Sequence, residues 1–356
     1  MRETVNAKAH ECVHATTPRI LHVTEALGGG IHSAIASWAA ATPELDHMVI
    51  ARARPSQATY AWPINVTPSL HETSLAGLYR ESVRREQAYK PHAIHLHSSK
   101  AGVFRAGRYQ TRRIIYSPHC FAFQRQDIGQ LMKTFYRGIE ELLAPRAVIA
   151  SVSSEEKEQA ESLREAVRTV LVPNYSQVDP RPLDVTSRTI VTVGRILPQK
   201  DPRFFMETVR HLRSDYDIIW IGDGDPVLRQ ELISLGIDVT GWLPMDDLVR
   251  RVGRAGLYLH TASWEGSPLA TLEAINSGTA VLSRDIPSMR SVGYEVPSAT
   301  PHGLAAAVEK YFADPSYRET VFNACKIIQN ENSQLMAAQA LRTAYSTRAT
   351  QPQETT

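Results

Sequence analysis

Short apolar, β-branched runs alternate with longer amphipathic stretches along this 356-residue chain, and the whole alternation occurs twice. The first series of predicted strands covers Ile20 to Thr24, Met48 to Ala51, Ala93 to His97, Arg113 to Ser117 and Val148 to Ser151. The second covers Thr189 to Gly194, Asp217 to Gly222, Gly256 to His260 and Thr279 to Ser283. Helical patterns lie between them at Ser33 to Ala41, Asp127 to Leu143, Ser154 to Val167, Pro202 to Leu212 and Pro244 to Gly253. Alternation of this kind implies a mainly parallel sheet with helices on both faces. The length exceeds one comfortable core, so the doubled pattern predicts two doubly wound α/β domains. The break falls in the polar, proline-rich stretch from Pro173 to Pro182. That places a first domain over 1–174, a second over 183–332 and a closing segment over 333–356. Ligands of open α/β sheets sit beyond the carboxyl ends of the strands, so the two domains are expected to face a shared cleft.

Composition narrows the class. Hydrophobic residues make up 43% and the formal net charge is +2, as in an ordinary globular protein. Cys12, Cys120 and Cys325 are odd in number and far apart, which fits a reducing cytoplasm better than a disulfide framework. The first eighteen residues lack an apolar core, so no signal peptide is expected. No apolar run approaches the roughly 20 residues that span a bilayer, and any membrane role would be peripheral. Arg80 to Arg137 carries twelve basic residues against three acidic ones. Solvated helix faces account for part of that excess, and an anionic surface or acceptor for the rest. Nucleic acid is not expected, because no aromatic-interleaved basic motif occurs. In the helical stretch Asp127 to Leu143, Ile128, Leu131, Met132, Phe135, Ile139 and Leu142 share one face, expected to turn toward the core rather than a membrane. The tail from Ser346 on is polar and is expected to lack fixed structure.

Several groups can carry chemistry. Glu265 and Glu273 flank Gly266-Ser267-Pro268-Leu269, where Ser267 suits an N-cap and Pro268 the first helical position. The helix would run to Gly278, and its free N–H groups would favour an anion beside Gly266 and Ser267. A ligand with a diphosphate centre and hydroxylated ends, a sugar nucleotide, fits that layout. Arg195 and Lys200 lie between a strand and a helix; an Arg can fork two phosphate oxygens, and a Lys adds a compact charge. Gly28-Gly29-Gly30 permits close backbone approach to a ligand. Ser33 stands where a third fingerprint glycine would be, which argues against a nicotinamide dinucleotide. His119, at a strand end, could bond a sugar hydroxyl. His95 and His97 share a strand face with His92 nearby, but without further ligands no metal site is expected.

Three stretches, Gly241-Trp242-Leu243-Pro244, Ala255-Gly256-Leu257-Tyr258-Leu259 and Trp264-Glu265-Gly266-Ser267-Pro268-Leu269, closely resemble the donor-binding half of retaining glycosyltransferases of the GT-B fold. The segments His95 to Gly102 and Tyr116 to Phe123 resemble the branch that elongates bacterial surface polysaccharides. This resemblance implies two Rossmann-like domains and a last helix, Ser333 to Tyr345, crossing back onto the first. It implies that Arg195 and Lys200 hold the donor diphosphate as it leaves, that Glu265 contacts the transferred sugar and Glu273 the ribose. Gly266, Ser267, Pro268 and Leu269 would serve the phosphates, Trp242 and Leu243 the base. Gly29 and Gly30 would lie under the diphosphate, and His119 at the catalytic centre. Asp223-Gly224-Asp225 matches a structural glycine turn of the family rather than a metal site. The resemblance further implies a UDP-sugar donor, an acceptor sugar on a polyprenyl diphosphate carrier at the inner membrane face, no metal and no cofactor. The alternative is a non-catalytic sugar-nucleotide-binding subunit, against which the presence of Arg195, Lys200, Glu265 and Glu273 counts.

Overall fold

A computed structural model describes residues 17–53, 61–185 and 187–347. One parallel sheet is built from β1 (Arg19–Leu27), β2 (Asp46–Ala53), β3 (Val66–Leu70), β4 (Ala93–His97), β5 (Ile114–Ser117), β6 (Val148–Ser151) and β7 (Thr169–Leu171). Its order is β3-β2-β1-β4-β5-β6-β7. A second parallel sheet holds β8 (Thr189–Val193), β9 (Asp217–Ile221), β10 (Asp238–Gly241), β11 (Leu257–His260), β12 (Val281–Arg284) and β13 (Glu295–Ser298), in the order β10-β9-β8-β11-β12-β13. The helices interspersed with the first sheet are α1 (Gly29–Ala41), α2 (Leu75–Tyr89), α3 (Ser98–Gly102), α4 (Gln130–Leu143) and α5 (Ser154–Glu161). Those of the second are α6 (Pro202–Arg210), α7 (Pro226–Ser234), α8 (Met245–Val252), α9 (Leu269–Asn276), α10 (Pro287–Val292), α11 (Pro301–Ala313) and α12 (Pro315–Glu331), with α13 (Gln334–Ser346) closing the described chain.

Both sheets are doubly wound, and both reverse direction once, between β1 and β4 and between β8 and β11. Those switch points are where such sheets open a crevice. Every residue of β4, β5, β6 and β11 is buried, which is why these strands read as mainly apolar runs without polar alternation. The four strands without a sequence signal, β3, β7, β10 and β13, are the edges of the two sheets. Pro68 sits in β3 and Pro297 in β13, positions a proline can occupy only where no neighbour needs its N–H.

The chain from Pro173 to Pro182 is tied to both halves. Tyr175 Oη donates to Ser37 O (2.5 Å) in α1, and Asn174 Nδ2 to Ser267 O (2.8 Å) ahead of α9. Farther along, Asn276 Nδ2 donates to Val178 O (2.8 Å). Helix α13 returns to the first sheet. Its Ala337, Leu341 and Tyr345 bury against Ile20 and Trp38, and Gln334 Nε2 donates to Ala40 O (3.2 Å).

Several expectations need correction. Helix α9 begins at Leu269, with Pro268 at the capping position in extended geometry and Ser267 outside it. The reason is the Ser267 carbonyl, which is held by Asn174 instead of opening the helix. Helix α5 ends at Glu161 rather than Val167, because Ser162 Oγ bonds back to Gln159 O (2.7 Å) and Ala166 turns left-handed (φ 64°) so that β7 can pair with β6. The apolar face of α4 does not turn toward the core: Leu131 is 90% exposed, Phe135 60% and Leu142 69%. What α4 buries is Leu143 and Glu140, the latter accepting from Arg105 Nη2 (2.5 Å) and Tyr116 Oη (2.8 Å). Arg105 is itself buried, its guanidinium 3.9 Å from the Tyr116 ring, so one charge of the basic stretch is structural. Others are matched locally, Arg84 and Arg85 by Glu81, Arg125 by Asp127, and Arg137 by Glu141. Cys12 and the tail from 348 on lie outside the described residues, whereas Ser346 ends α13.

Candidate active site

The carboxyl ends of the two sheets face one another across a cleft enclosing about 280 Å³. From the first sheet, the turn after β1 brings Gly29 and Gly30, and the turn after β5 brings His119. From the second, the turn after β8 brings Arg195 and Lys200, that after β10 brings Trp242, and that after β11 brings Glu265, Gly266, Ser267 and Pro268. Leu269 and Glu273 reach the same wall from α9. Of the residues assigned from sequence to the donor and catalytic site, Leu243 alone lies outside this wall; it packs on the apolar core of the second sheet, one position beyond Trp242. Sequence reasoning missed Asn174, Val152, Gln199 and Met245, which also line the cleft.

Two helices point their amino ends into this space. The glycines are part of α1 rather than a loop before it: Gly28 is the cap, Gly29 is left-handed (φ 49°) and Gly30 is in the first turn. A Cβ on Gly30 would meet no atom within 4 Å, so the protein itself does not fill that space. Helix α9 opens opposite. Unpaired N–H groups at both ends give the cleft positive potential, and Arg195 and Lys200 add full charges.

Glu265 tempers that potential. Lys200 Nζ lies 2.7 Å from Glu265 Oε1, and Gln199 Nε2 donates to Glu265 Oε2 (3.3 Å). Both side chains are mostly covered, at 18% and 10% exposure. The arrangement holds a carboxylate and an ammonium ready to be separated by an anionic, hydroxylated ligand. Beside them Asp201, left-handed at φ 49°, caps α6 and accepts from Arg284 Nη1 (2.8 Å), which fixes the turn carrying Lys200.

The His119 turn is held under strain. His119 (φ 52°) and Cys120 (φ 91°) both occupy the left-handed region, which costs about 1–3 kcal/mol per non-glycine residue. Glu156 secures it by accepting from Cys120 N (2.5 Å) and Val152 N (2.8 Å). Burial pushes the Glu156 carboxyl up to about 7. Gly266 closes the cleft from the other side. A Cβ there would come within 3.1 Å of Cys120 N and 3.2 Å of His119 C, so the two halves touch through a position that only glycine fits without displacement.

Behind His119 the first sheet buries a group of imidazoles. His22, His95 and His97 bring one nitrogen each within 4.8 Å of the others, close enough in principle for a metal ion. Their ring nitrogens are taken up by hydrogen bonds, however. His22 bonds His47 and His97 (both 2.9 Å), His97 also bonds His119 (3.0 Å), and His95 bonds Tyr345 Oη (3.1 Å) and Ser117 Oγ (2.9 Å). The donor set suits a hydrogen-bonded ladder better than a cation. Burial lowers His119 to about 4 and drives His22, His95 and His97 well below their usual range, so these rings are neutral. His92 stands apart, beside Arg113. Asp225 caps α7, and Asp223 accepts from Gly224 N and pairs with Arg229 (3.4 Å); both carboxylates serve the turn.

Residues 187–314 match the family described as "Glycosyl transferases group 1". An uncharacterised 41.2 kDa protein in the cps region of Klebsiella pneumoniae is 24% identical over 77% of this chain and 82% of its own length. The UDP-Gal:alpha-D-GlcNAc-diphosphoundecaprenol alpha-1,3-galactosyltransferase of Escherichia coli is 25% identical over 58% of this chain and 59% of its own. Among solved structures, HepE of Anabaena, in complex with UDP and glucose, superposes with a TM-score of 0.73 at 15% identity, over 92% of this chain and 99% of that one. Residues 187–314 thus match a group 1 glycosyltransferase domain, and the paired parallel sheets with their shared cleft have the GT-B architecture of these solved structures.

Proposed function

We propose that the protein is a retaining glycosyltransferase that moves a sugar from a UDP-sugar to a sugar acceptor on a polyprenyl diphosphate, in the assembly of a surface polysaccharide. One observation carries the reading: Arg195, Lys200 and the amino end of α9 share one cleft wall with Glu265. Arg195, Lys200 and the backbone of Gly266 to Leu269 hold the donor diphosphate, with Gly29 and Gly30 beneath it. Glu273 takes the ribose hydroxyls, Trp242 the base, and Glu265 and His119 the transferred sugar. As the bond from the anomeric carbon to the diphosphate breaks, the two cations take up the charge on the leaving oxygen, the work a metal does elsewhere. The acceptor oxygen bonds the anomeric carbon on the same face, and its proton passes to the departing diphosphate. The stretch from Pro173 to Pro182 serves as a hinge about which the halves close.

The donor and acceptor classes are supported by the Escherichia coli relative, whose name gives a UDP-galactose donor and a diphosphoundecaprenol-linked acceptor. HepE was solved with UDP. No helix among the described residues is long and apolar enough to cross a membrane. The exposed face of α4, with Leu131, Phe135 and Leu142 flanked by Lys133 and Arg137, suits peripheral contact with an anionic inner membrane surface. The test is transfer in EDTA, with a UDP-sugar panel and a polyprenyl-diphosphate-linked acceptor, followed by NMR of the new anomeric centre. Retained configuration is expected; an inverted product, or transfer only with added metal, would overturn the mechanism.

A further inference from the structure

Four histidines on separate segments form one continuous hydrogen-bonded ladder, His47–His22–His97–His119, with every link between 2.9 and 3.0 Å. One end is His119 in the cleft wall. The other is Thr42, whose Oγ1 lies 3.1 Å from His47 Nε2.

Thr42 sets the direction of the whole ladder. Its single hydroxyl proton goes to Trp38 O (2.9 Å), so toward His47 the oxygen can only accept. His47 Nε2 must therefore carry a proton. In a neutral ring the other nitrogen is then bare, and His47 Nδ1 accepts from His22 Nε2. By the same rule His22 Nδ1 accepts from His97 Nε2, and His97 Nδ1 accepts from His119 Nε2. The last bare nitrogen is His119 Nδ1, which bonds no described residue and belongs to a largely covered side chain in the cleft wall. Neutrality follows from burial of the rings against one another and against Trp38, which disfavours an added charge; Asp46 and Glu44 near His47 oppose this without outweighing it. His95 provides an independent parallel. Ser117 Oγ gives its proton to Ala150 O (2.8 Å), so His95 Nε2 must donate to Ser117, and its Nδ1 accepts from Tyr345 Oη.

We infer that the ladder His47–His22–His97, anchored on Thr42, is a positioning device that locks His119 in the Nε2-protonated tautomer and presents its Nδ1 lone pair to the cleft. His119 would then select a transferred sugar that offers a hydroxyl at this point, and disfavour one that offers an acceptor-only carboxylate. The selectivity part rests on the reading of the cleft as a nucleotide-sugar site; the tautomer part does not.

The test is imidazole NMR on the full chain labelled with 15N-histidine, with the His119 signals assigned by their loss in His119→Asn. In the unmodified protein at neutral pH, His119 Nε2 should show the shift of a protonated nitrogen and Nδ1 that of a bare one. Thr42→Val removes the anchor and should leave His119 as a mixture of tautomers, while Thr42→Ser keeps a hydroxyl and should restore the single state. A protonated Nδ1 in the unmodified protein would overturn the ladder on its own, whether or not Thr42→Val folds. UDP-glucose and UDP-galactose should move the Nδ1 resonance, and UDP-glucuronic acid should bind more weakly if its carboxylate faces His119. If the tautomer is as stated but no UDP-sugar moves Nδ1, the ladder stands and the placement of the sugar at His119 fails.

Discussion

Lys200 Nζ lies 2.7 Å from Glu265 Oε1, joining the turn after β8 to the turn after β11 at the floor of the cleft. Each residue therefore has two states to balance, one paired with the other and one engaged with a ligand. Removing the ammonium would, on the proposed reading, take charge away from the leaving oxygen, and it leaves a mostly covered carboxylate without its cation. Lys200→Ala is expected to lower turnover by roughly 100-fold or more while the fold persists. Glu265→Ala should cripple transfer yet still bind UDP, and the double variant should lose less stability than the two single losses combined. Steady-state rates and unfolding curves for the three variants decide this; near-normal turnover in Lys200→Ala would remove Lys200 from the phosphate site.

Gly266 is one of the places where the halves meet, since a Cβ there would press on Cys120 N and His119 C. Gly266→Ala should act on geometry rather than stability. Transfer is expected to fall by about 10- to 100-fold through misplacement of reacting groups, with stability changed by no more than about 1 kcal/mol. Full activity in that variant would mean that the contact is incidental to the closed site.

The buried imidazoles make stability depend on acid. His47 and His119 are lowered to about 4, and His22, His95 and His97 well below 6.5, in each case chiefly by burial. Below pH 6.5 the unfolded chain takes up protons at these rings and the folded chain does not, so stability present above 6.5 is lost as the pH falls. Glu156 works in the opposite sense: raised to about 7, it gives stability at low pH that is lost as the pH rises through 7. The histidines outnumber it. Unfolding near pH 5 should therefore take up about two or more protons, visible as a steep fall in Tm between pH 6.5 and 4. A flat profile over that range would contradict neutral, buried rings.

The outward face of α4 offers a separate test. Leu131→Ser with Phe135→Ser should weaken binding to vesicles containing anionic lipid and leave thermal stability unchanged or slightly raised, because those side chains are 90% and 60% exposed. Unaltered vesicle binding would send the membrane contact elsewhere.

Amphipathic spacing shows that α4 has an apolar face but says nothing about what covers it, which is why that face was expected to be core. The central strands were legible because burial on both sides favours mainly apolar runs. Edge strands such as β3 and β13 were not, since an edge tolerates Pro68, Pro297 and polar neighbours. Cleft residues clustered near Gly266 and Arg195 were visible because turn chemistry and charge are local in sequence. The ladder was hidden: His22, His47, His97 and Thr42 become neighbours only once β2, β1 and β4 are set side by side. Its one local trace is histidine within otherwise apolar strands, at His22 and His97.

The cleft is proposed to hold a nucleotide diphosphate sugar without a metal. The most direct measurement is thermal unfolding of the purified protein in EDTA against uridine, guanosine, adenosine and thymidine diphosphates and their sugars, repeated with Arg195→Ala. A ligand at 100 times its Kd should stabilise by about 2.7 kcal/mol. Uridine ligands are expected to raise Tm in the unmodified protein, with the shift reduced or lost in Arg195→Ala. No shift with any nucleotide, or an equal shift in both proteins, would contradict the donor site described above.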